Sequence, residues 1–210
     1  MTYNQLWKRL TAIYNEREAQ AIVRTVLDAL FGMSLTDICL GKVTQLSADD
    51  TTRLEKIMQR LEKSEPVQYV LGSGWFAGRL FDVAPGVLIP RPETEDLVKW
   101  TCDEAKEKEK EDNSKEERGK EEKEVSKKGE EAPHPSILDI GTGSGCIAIT
   151  VALALPQARV TAWDISTDAL AIAAGNAHRL GASVRFEHQD ALSAPDDEER
   201  WDVIVSNPPY

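Results

Sequence analysis

The middle of the sequence contains the stretch Ile137-Leu138-Asp139-Ile140-Gly141-Thr142-Gly143-Ser144-Gly145-Cys146. A short apolar run followed by glycines at alternate positions is typical of a buried strand that turns into a helix, because glycine permits a tight turn. Such a turn also leaves bare backbone amides at a helix N-terminus, where a ligand can lie. The stretch therefore predicts the first strand and the ligand-binding turn of a sheet domain.

Strands and helices alternate after this turn. The pattern predicts an apolar helix at 147–155, a strand at 159–163, a helix at 167–180 that ends at Gly181, and strands at 184–188 and 201–206. This alternation predicts an α/β fold of the Rossmann-like kind, with a parallel sheet and helices on its faces. Ligands of such sheets bind at the carboxyl ends of the strands.

The chain before the turn has a different pattern. Residues 1–66 carry apolar side chains at helical spacing, with Ser47 and Asp50 as an N-cap and its third-position acid, so a small all-α domain is predicted. Glycine and aromatic residues at 67–87 predict a β-hairpin linker, and 88–210 form the sheet domain. Within it, residues 103–135 are mostly Lys and Glu with almost no apolar side chain, so we expect a disordered, mobile insertion with transient helix.

Composition narrows the class of protein. The formal net charge of -11 disfavours nucleic acid as a partner, since phosphate binding depends on clustered Lys and Arg. No apolar stretch is long enough for a membrane span, and the N-terminus lacks the layout of a signal peptide, so we expect a cytoplasmic protein. The 3 cysteines and 3 histidines are scattered, so we expect free thiols and no metal site.

The charges around the glycine turn indicate which cofactor it holds. Gly143 and Gly145 also satisfy a loose dinucleotide pattern. However, no Lys or Arg occurs between Lys128 and Arg159, whereas Asp139 directly precedes the turn. A pyrophosphate would need positive charge there, so a cofactor with an ammonium and a sulfonium, S-adenosylmethionine, is favoured.

Two further acids follow strand ends. Asp164 closes the second strand, near the spacing at which a carboxylate accepts both ribose hydroxyls of an adenosine, although it could instead cap a helix. Asp190 and Ala191 follow the third strand and would lie beside the adenine, with a simple loop acid as the alternative for Asp190. The predicted cofactor-binding residues are Gly141, Thr142, Gly143, Ser144, Gly145, Asp164, Asp190, Ala191 and Asn207.

The last predicted strand ends in Ser206-Asn207-Pro208-Pro209-Tyr210. Two prolines after a buried strand enforce a rigid loop. An amide or aromatic amine nitrogen is a weak nucleophile, so both its N–H groups must be held; the Asn207 side-chain oxygen and the Pro208 carbonyl supply acceptors, and Tyr210 supplies a flat surface. The predicted catalytic residues are Asn207, Pro208 and Tyr210, and the predicted substrate-binding residues are Asn207, Pro208, Pro209 and Tyr210.

Three elements of the sequence resemble the HemK-type release-factor glutamine methyltransferases. They are the glycine turn followed by Asp164, the tetrad at 207–210, and the run from Tyr69 through Arg91-Pro92-Glu93-Thr94-Glu95. The resemblance implies a class I fold that uses S-adenosylmethionine to methylate the glutamine of a Gly-Gly-Gln motif in class 1 peptide chain release factors. It also implies that the helical domain helps to dock the release factor, and we expect a monomer.

The sequence departs from that family in places. Ala191 stands where the family carries a larger apolar or aromatic residue, and the insertion after Trp100 is unusual. The resemblance implies seven strands, of which four are accounted for, so we expect a fragment or truncated product with the apolar edge Val203-Ile204-Val205 unpaired. Two alternatives stay open: a DNA or RNA exocyclic-amine methyltransferase, which shares the tetrad but should carry a Lys- and Arg-rich module, and an inactive adenosine-binding module.

Overall fold

The computed structural model describes residues 1–120, 134–193 and 199–208. It divides the chain into two compact units, Met1–Ser73 and Gly74–Tyr210. Within the described residues, no helix combines the length and the apolar character needed to cross a lipid bilayer.

The first unit is helical, as its apolar spacing predicts. Its helices are α1 (Tyr3–Arg9), α2 (Glu16–Phe31), α3 (Leu35–Cys39), α4 (Ala48–Leu61) and α5 (Val67–Leu71), with a short 3₁₀ helix at Lys42–Gln45. Ser47 caps α4 as predicted, because its side chain accepts a hydrogen bond from the Asp50 amide at 3.1 Å. The fully buried side chains include Leu6, Leu10, Val23, Leu27, Leu54, Met58 and Leu61.

The predicted hairpin linker at 67–87 is wrong at its start. Residues 67–71 form α5, which ends at Gly72 in a left-handed conformation, and the side chain of Val70 is buried in the helical core. The hairpin itself consists of β1 (Ser73–Phe76) and β2 (Arg79–Asp82). Its Phe76 and Phe81 rings pack edge to face, 6.0 Å apart, and are buried with the sheet domain. The hairpin is therefore part of a core and not only a connection.

The insertion predicted at 103–135 begins within a helix, and its predicted mobility stays a prediction. Helix α6 (Thr94–Lys120) continues through residues 103–120. The buried side of α6 contains Val98, Cys102 and Ala105. Burial of these side chains stabilises the start of the helix, including its first residues within the charged run. Alternating Glu and Lys then suit an exposed helix. Residues 121–133 of the predicted insertion lie outside the described residues.

The second unit contains the predicted parallel sheet. Strands β3 (Ser136–Ile140), β4 (Arg159–Asp164), β5 (Arg185–His188) and β6 (Val203–Ser206) pair in the order β5-β4-β3-β6. Helices α7 (Cys146–Ala154) and α8 (Thr167–Leu180) follow β3 and β4, and α8 ends at Gly181 as expected. The fold class is confirmed as α/β, with a helical domain before it. Because the strands are parallel, their carboxyl ends meet at one edge.

Strand β6 lies at the end of this sheet. It pairs with β3 on one side, Val205 is buried and Ile204 is 59% exposed. The register aligns Ile140 with Ser206, and the same Ile140 with Trp163 on β4. Gly141 and Asn207, which follow β3 and β6, and Asp164, the last residue of β4, are therefore brought to the same edge of the sheet.

Candidate active site

The glycine turn is held by its own backbone hydrogen bonds. The amides of Gly141 and Thr142 donate to the carbonyl oxygen of Trp163 at 2.9 and 3.0 Å, and the amide of Gly145 donates to Thr142 at 2.8 Å. The sequence interpretation expected bare amides that a ligand would contact, and this was wrong for these positions. These bonds occupy the amides of Gly141, Thr142 and Gly145, so these three amides are not free donors for a ligand.

Gly145 is required for a different reason. It has a φ of +78°, and an added Cβ would lie 2.7 Å from the Ile149 Cδ1 atom and 3.0 Å from the Ala173 Cβ atom. Gly141 has a similar φ of +72° but open space around it. The alternate glycines therefore serve two purposes: all permit the turn, and Gly145 also lets α7 and α8 approach closely.

Asp139 supports the turn from within the protein. Its carboxylate is 1% exposed; Oδ2 accepts hydrogen bonds from the Thr142 hydroxyl at 2.7 Å and the Ala148 amide at 3.2 Å. Its Oδ1 atom has no hydrogen-bond partner among the described residues. Burial raises the pKa of Asp139 to about 6, against the effect of these two donors. The sequence argument used Asp139 as a charge facing the cofactor, whereas the structure places it beneath the turn.

Asp164 joins the ends of three strands. Its Oδ2 atom accepts a hydrogen bond from the Gly143 amide and its Oδ1 atom accepts one from the Ser166 amide, each at 2.9 Å. Its carbonyl oxygen accepts from the Gln189 amide at 3.1 Å. Ser166, not Asp164, is the N-cap of α8. Each carboxylate oxygen keeps a further lone pair, so both remain able to accept from a diol.

Asp190 and Ala191 follow β5 in a tight loop. The Asp190 carboxylate accepts from the Leu192 amide at 2.9 Å and from the Ser193 hydroxyl at 2.8 Å, and these bonds lower its pKa. Ala191 begins a 3₁₀ helix, Ala191–Ser193. Neither residue lines the cavity that contains Asn207. Their predicted contact with an adenine stays a prediction.

Asn207 lies beside the glycine turn. The Ser206 hydroxyl donates to the Ile140 carbonyl at 2.8 Å, which fixes the strand end directly before Asn207. Asn207 then lines one cavity together with Gly141, Thr142, Gly143, Ser144 and Cys146. Burial raises the pKa of the Cys146 thiol to about 12, so it stays protonated at neutral pH and is no nucleophile. The structure describes Pro208, which follows Asn207. Pro209 and Tyr210 lie outside the described residues.

Three residues near this cavity were not among the site residues predicted from the sequence. Arg91 lines it and adds a positive charge, which the charge argument missed because it considered only the residues before and after the turn. Thr94 lines it too and accepts a hydrogen bond from the Asn207 Nδ2 atom at 3.1 Å. The third, Asn176, is fully buried in α8. Asn176 is the one polar residue among the buried residues of α8. In the sequence, the only signal was a polar side chain on the same helix face as alanines.

Asn176 connects the hairpin to the glycine turn. Its Oδ1 atom accepts from the Asp82 amide at 2.8 Å, and its Nδ2 atom donates to the carbonyl oxygens of Asp82 and Ser144, both at 3.0 Å. The Arg179 guanidinium donates to the same Oδ1 atom and to the Leu80 carbonyl. The hairpin is therefore fixed to the wall of the cavity through one helix.

A larger cavity, of about 530 Å³, lies at the opposite edge of the sheet. Residues at or near the amino ends of the strands line it, among them Ser136, Arg159 and Arg185. Arg185 forms ion pairs with Glu187 and Glu199, so its charge is compensated. In parallel sheets ligands bind at the other edge, where Asn207 and the glycine turn lie.

Known protein families match both parts of the chain. The PrmC N-terminal domain matches residues 3–72, and the methyltransferase small domain matches residues 126–210. The release factor glutamine methyltransferase of Bacteroides thetaiotaomicron (strain ATCC 29148) is 44% identical over 202 residues, which are 96% of this chain and 63% of that protein. The chain is similar to release factor glutamine methyltransferases over almost all of its length.

A second release factor glutamine methyltransferase, from Flavobacterium psychrophilum, is 36% identical over 206 residues, 98% of this chain and 65% of that protein. The chain thus spans less than two thirds of the length of these two relatives. A solved structure of the plantazolicin methyltransferase BpumL in complex with SAH is 30% identical, with a TM-score of 0.30; the match covers 34% of this chain and 26% of that one.

Proposed function

We propose that this chain transfers a methyl group from S-adenosylmethionine to the side-chain amide nitrogen of the glutamine in the Gly-Gly-Gln motif of class 1 peptide chain release factors. The observation that carries the proposal is the shared cavity of Asn207 and the glycine turn. A weakly nucleophilic amide and an activated methyl group must meet there within about 3–3.5 Å. We take the substrate from the names of the relatives, which are release factor glutamine methyltransferases.

The residues at the sheet edge fit the cofactor. Asp164 keeps a lone pair on each oxygen for the two ribose hydroxyls, and the compact surface of Gly141 and Gly143 permits close approach. Arg91 adds a cation that suits the carboxylate of a methionine moiety. S-adenosylmethionine, when bound, supplies an electrophilic methyl group on a sulfonium. Asp190 and Ala191 would contact the adenine.

The protein's own groups would then orient the substrate amide. The Asn207 side-chain oxygen and the Pro208 carbonyl accept its two N–H groups, and Pro209 and Tyr210 complete the wall on which the planar group lies. Holding both N–H groups directs the remaining lobe of the nitrogen at the methyl carbon. The step needs no general base before transfer, and its rate depends on position and on fixed dipoles.

We further propose that the first helical unit helps to dock the release factor, and that the protein acts as a cytoplasmic monomer. The net charge of -11 supports a protein partner over nucleic acid, since a polyanion would approach a surface of its own sign. The affinity for structured RNA should accordingly be weak at physiological salt.

Asn207→Ala tests the proposed function. We expect the variant still to bind S-adenosylmethionine in calorimetry and, at saturating cofactor, to lose turnover with release factor by about 100-fold or more, the cost of one preorganised polar contact. His178→Ala, an exposed substitution on α8 outside the helical unit, is the control and should keep full turnover. Equal turnover in Asn207→Ala and the parent would remove Asn207 from the mechanism.

The same assay separates the other two classes. Methyl transfer to RNA or DNA, and not to release factor, would show an exocyclic-amine methyltransferase. Binding of the cofactor without transfer to any of these substrates would show an adenosine-binding module.

A further inference from the structure

The hydrogen bond between Asn207 and Thr94 joins two distant parts of the chain. Thr94 is the first residue of α6, is 5% exposed, and stands 113 positions before Asn207 in the sequence. The Asn207 Nδ2 atom donates to the Thr94 Oγ1 atom at 3.1 Å, and both side chains line the cavity with the glycine turn. The run that contains Thr94 marks the family resemblance, yet the proposed chemistry gives Thr94 no part.

This bond holds the Asn207 side chain at the wall of the cavity. An asparagine side chain has a donor end and an acceptor end of nearly equal shape. In the structure the Nδ2 end donates to the Thr94 hydroxyl. The Oδ1 atom has no hydrogen-bond partner among the described residues, and it remains to accept from a substrate N–H. A rotated amide would instead present two N–H groups to the substrate NH2 and would hold no proton of it.

Both partners are themselves held in place. The Thr94 amide donates to the Arg91 carbonyl at 3.0 Å, in a turn stiffened by Pro90 and Pro92. The next residue, Glu95, accepts from the Ala77 amide at 3.0 Å, which ties the start of α6 to the hairpin. Asn207 follows a strand end fixed by the bond from Ser206 to Ile140. A side chain that is held by such a supporting contact is oriented before substrate binds.

We propose that Thr94 is a positioning residue, whose hydroxyl holds the Asn207 side chain at the cavity wall so that its oxygen can accept from the substrate nitrogen. This inference rests on the proposed function, because only a substrate with N–H groups to be held needs an acceptor at this place. It adds a specific role for the helix start: the α6 N-terminus holds the side chain that follows β6.

Thr94→Val and Thr94→Ser form a matched pair for the test. Valine keeps the shape and removes the hydroxyl, whereas serine keeps the hydroxyl and removes a methyl group. Thermal melting shows whether each variant folds, and Thr94→Ala serves as a second hydroxyl-free variant if Thr94→Val melts too low. The cofactor affinity of every variant is measured by calorimetry, and kcat is compared at saturating cofactor so that weaker cofactor binding does not count as a loss of turnover.

The first readout needs no methyl transfer. Nitrogen-15 NMR reports the Asn207 side-chain amide, which is assigned by its loss in Asn207→Asp. We expect Thr94→Val to shift these protons upfield and speed their exchange with water, and Thr94→Ser to leave them as in the parent. Unchanged signals in Thr94→Val would overturn the inference, because the amide donor would then not depend on the hydroxyl. Equal changes in both variants would also overturn it, by assigning the effect to the methyl group.

The second readout is steady-state methylation of release factor. We expect Thr94→Val to lower kcat by about 10-fold or more with KM for release factor nearly unchanged, and Thr94→Ser to restore kcat, because orientation acts in the transition state. A change in KM alone would assign Thr94 to substrate binding and contradict the inference. If the parent transfers no methyl group, the proposed function fails, while the NMR result still decides whether Thr94 orients Asn207.

Discussion

Asp139 shows how one residue can serve a site without facing it. Its carboxylate is buried beneath the glycine turn, with two donors on Oδ2 and none on Oδ1 among the described residues. Burial disfavours the charged form, and the nearby negative charge of Asp164 adds to the effect. A carboxyl group of this kind makes stability depend on pH in the direction opposite to that of a salt-bridged acid.

The pKa of Asp139 gives a signed prediction. Its folded-state pKa of about 6 lies above the ordinary 3.8, so between these values the folded protein binds more protons than the unfolded chain. Raising the pH through this window should therefore lower the free energy of unfolding, by up to about 3 kcal/mol for this group. We expect Asp139→Asn to remove this contribution.

Urea unfolding of the parent and of Asp139→Asn, from pH 4 to pH 7.5, measures the difference. The stability of the variant relative to the parent should rise with pH and level off above about pH 7. Taking the difference cancels the other carboxyl groups, several of which have lowered pKa values and act in the opposite sense. A flat difference would mean that Asp139 titrates as an ordinary surface acid.

At the scale of elements, helix α8 has two functions in the second unit. Its alanine face packs on the sheet, and Ala173 approaches Gly145. Its Asn176 side chain provides hydrogen bonds for β2 and for the Ser144 carbonyl on the cavity wall. The hairpin therefore depends on this helix for its polar contacts as well as on its phenylalanines for apolar ones.

Asn176→Ala should lower the free energy of unfolding by about 2–3 kcal/mol. The substitution removes the hydrogen-bond donor of the Ser144 carbonyl and the partners of the Asp82 amide and carbonyl. A buried polar group without a partner costs about 1–3 kcal/mol. Urea unfolding gives the value. His178→Ala, an exposed position on the same helix, is the control and should change stability by less than about 0.5 kcal/mol. A similarly small change in Asn176→Ala would show that the hydrogen bonds of Asn176 with Asp82 and Ser144 do not stabilise the protein.

At the scale of the molecule, the buried apolar side chains of the described residues form two separate hydrophobic cores. One lies in the helical unit and includes Leu54, and the other lies in the sheet unit and includes Ile149; both side chains are fully buried. Truncating either one removes apolar contacts and leaves a cavity, which typically costs about 2–5 kcal/mol. The two cores share none of these buried residues, so each substitution should destabilise the unit that contains it.

Hydrogen exchange of the full chain can test this separation. We expect Leu54→Ala to speed exchange in α2 and α4 while β3 and β4 keep the protection of the parent, and Ile149→Ala to do the reverse. Each substitution is the control for the other, since both remove a large aliphatic side chain. Equal loss of protection in both units from a single substitution would show that the chain unfolds as one cooperative body.

The sequence by itself determined the helical first part, the parallel sheet and the carboxyl edge where the chemistry-bearing residues meet. Period and alternation are local properties, and they fix which strand end each residue follows. They could not determine that helix α6 continues into the charged run. Helix α6 extends past residue 103 because its beginning is anchored by burial of Val98, Cys102 and Ala105, and such burial is a property of the folded chain.

Only the tertiary structure decided what each polar group bonds to. The sequence placed Asp139 and the glycine amides toward a ligand, whereas packing buries the carboxylate and gives the amides to Trp163 and Thr142. Thr94 and Asn176 could not be assigned their roles either, because their partners, Asn207 in one case and Asp82 in the other, are 113 and 94 positions away. Hydrogen-bond partners depend on distance in space, and a linear pattern records distance only along the chain.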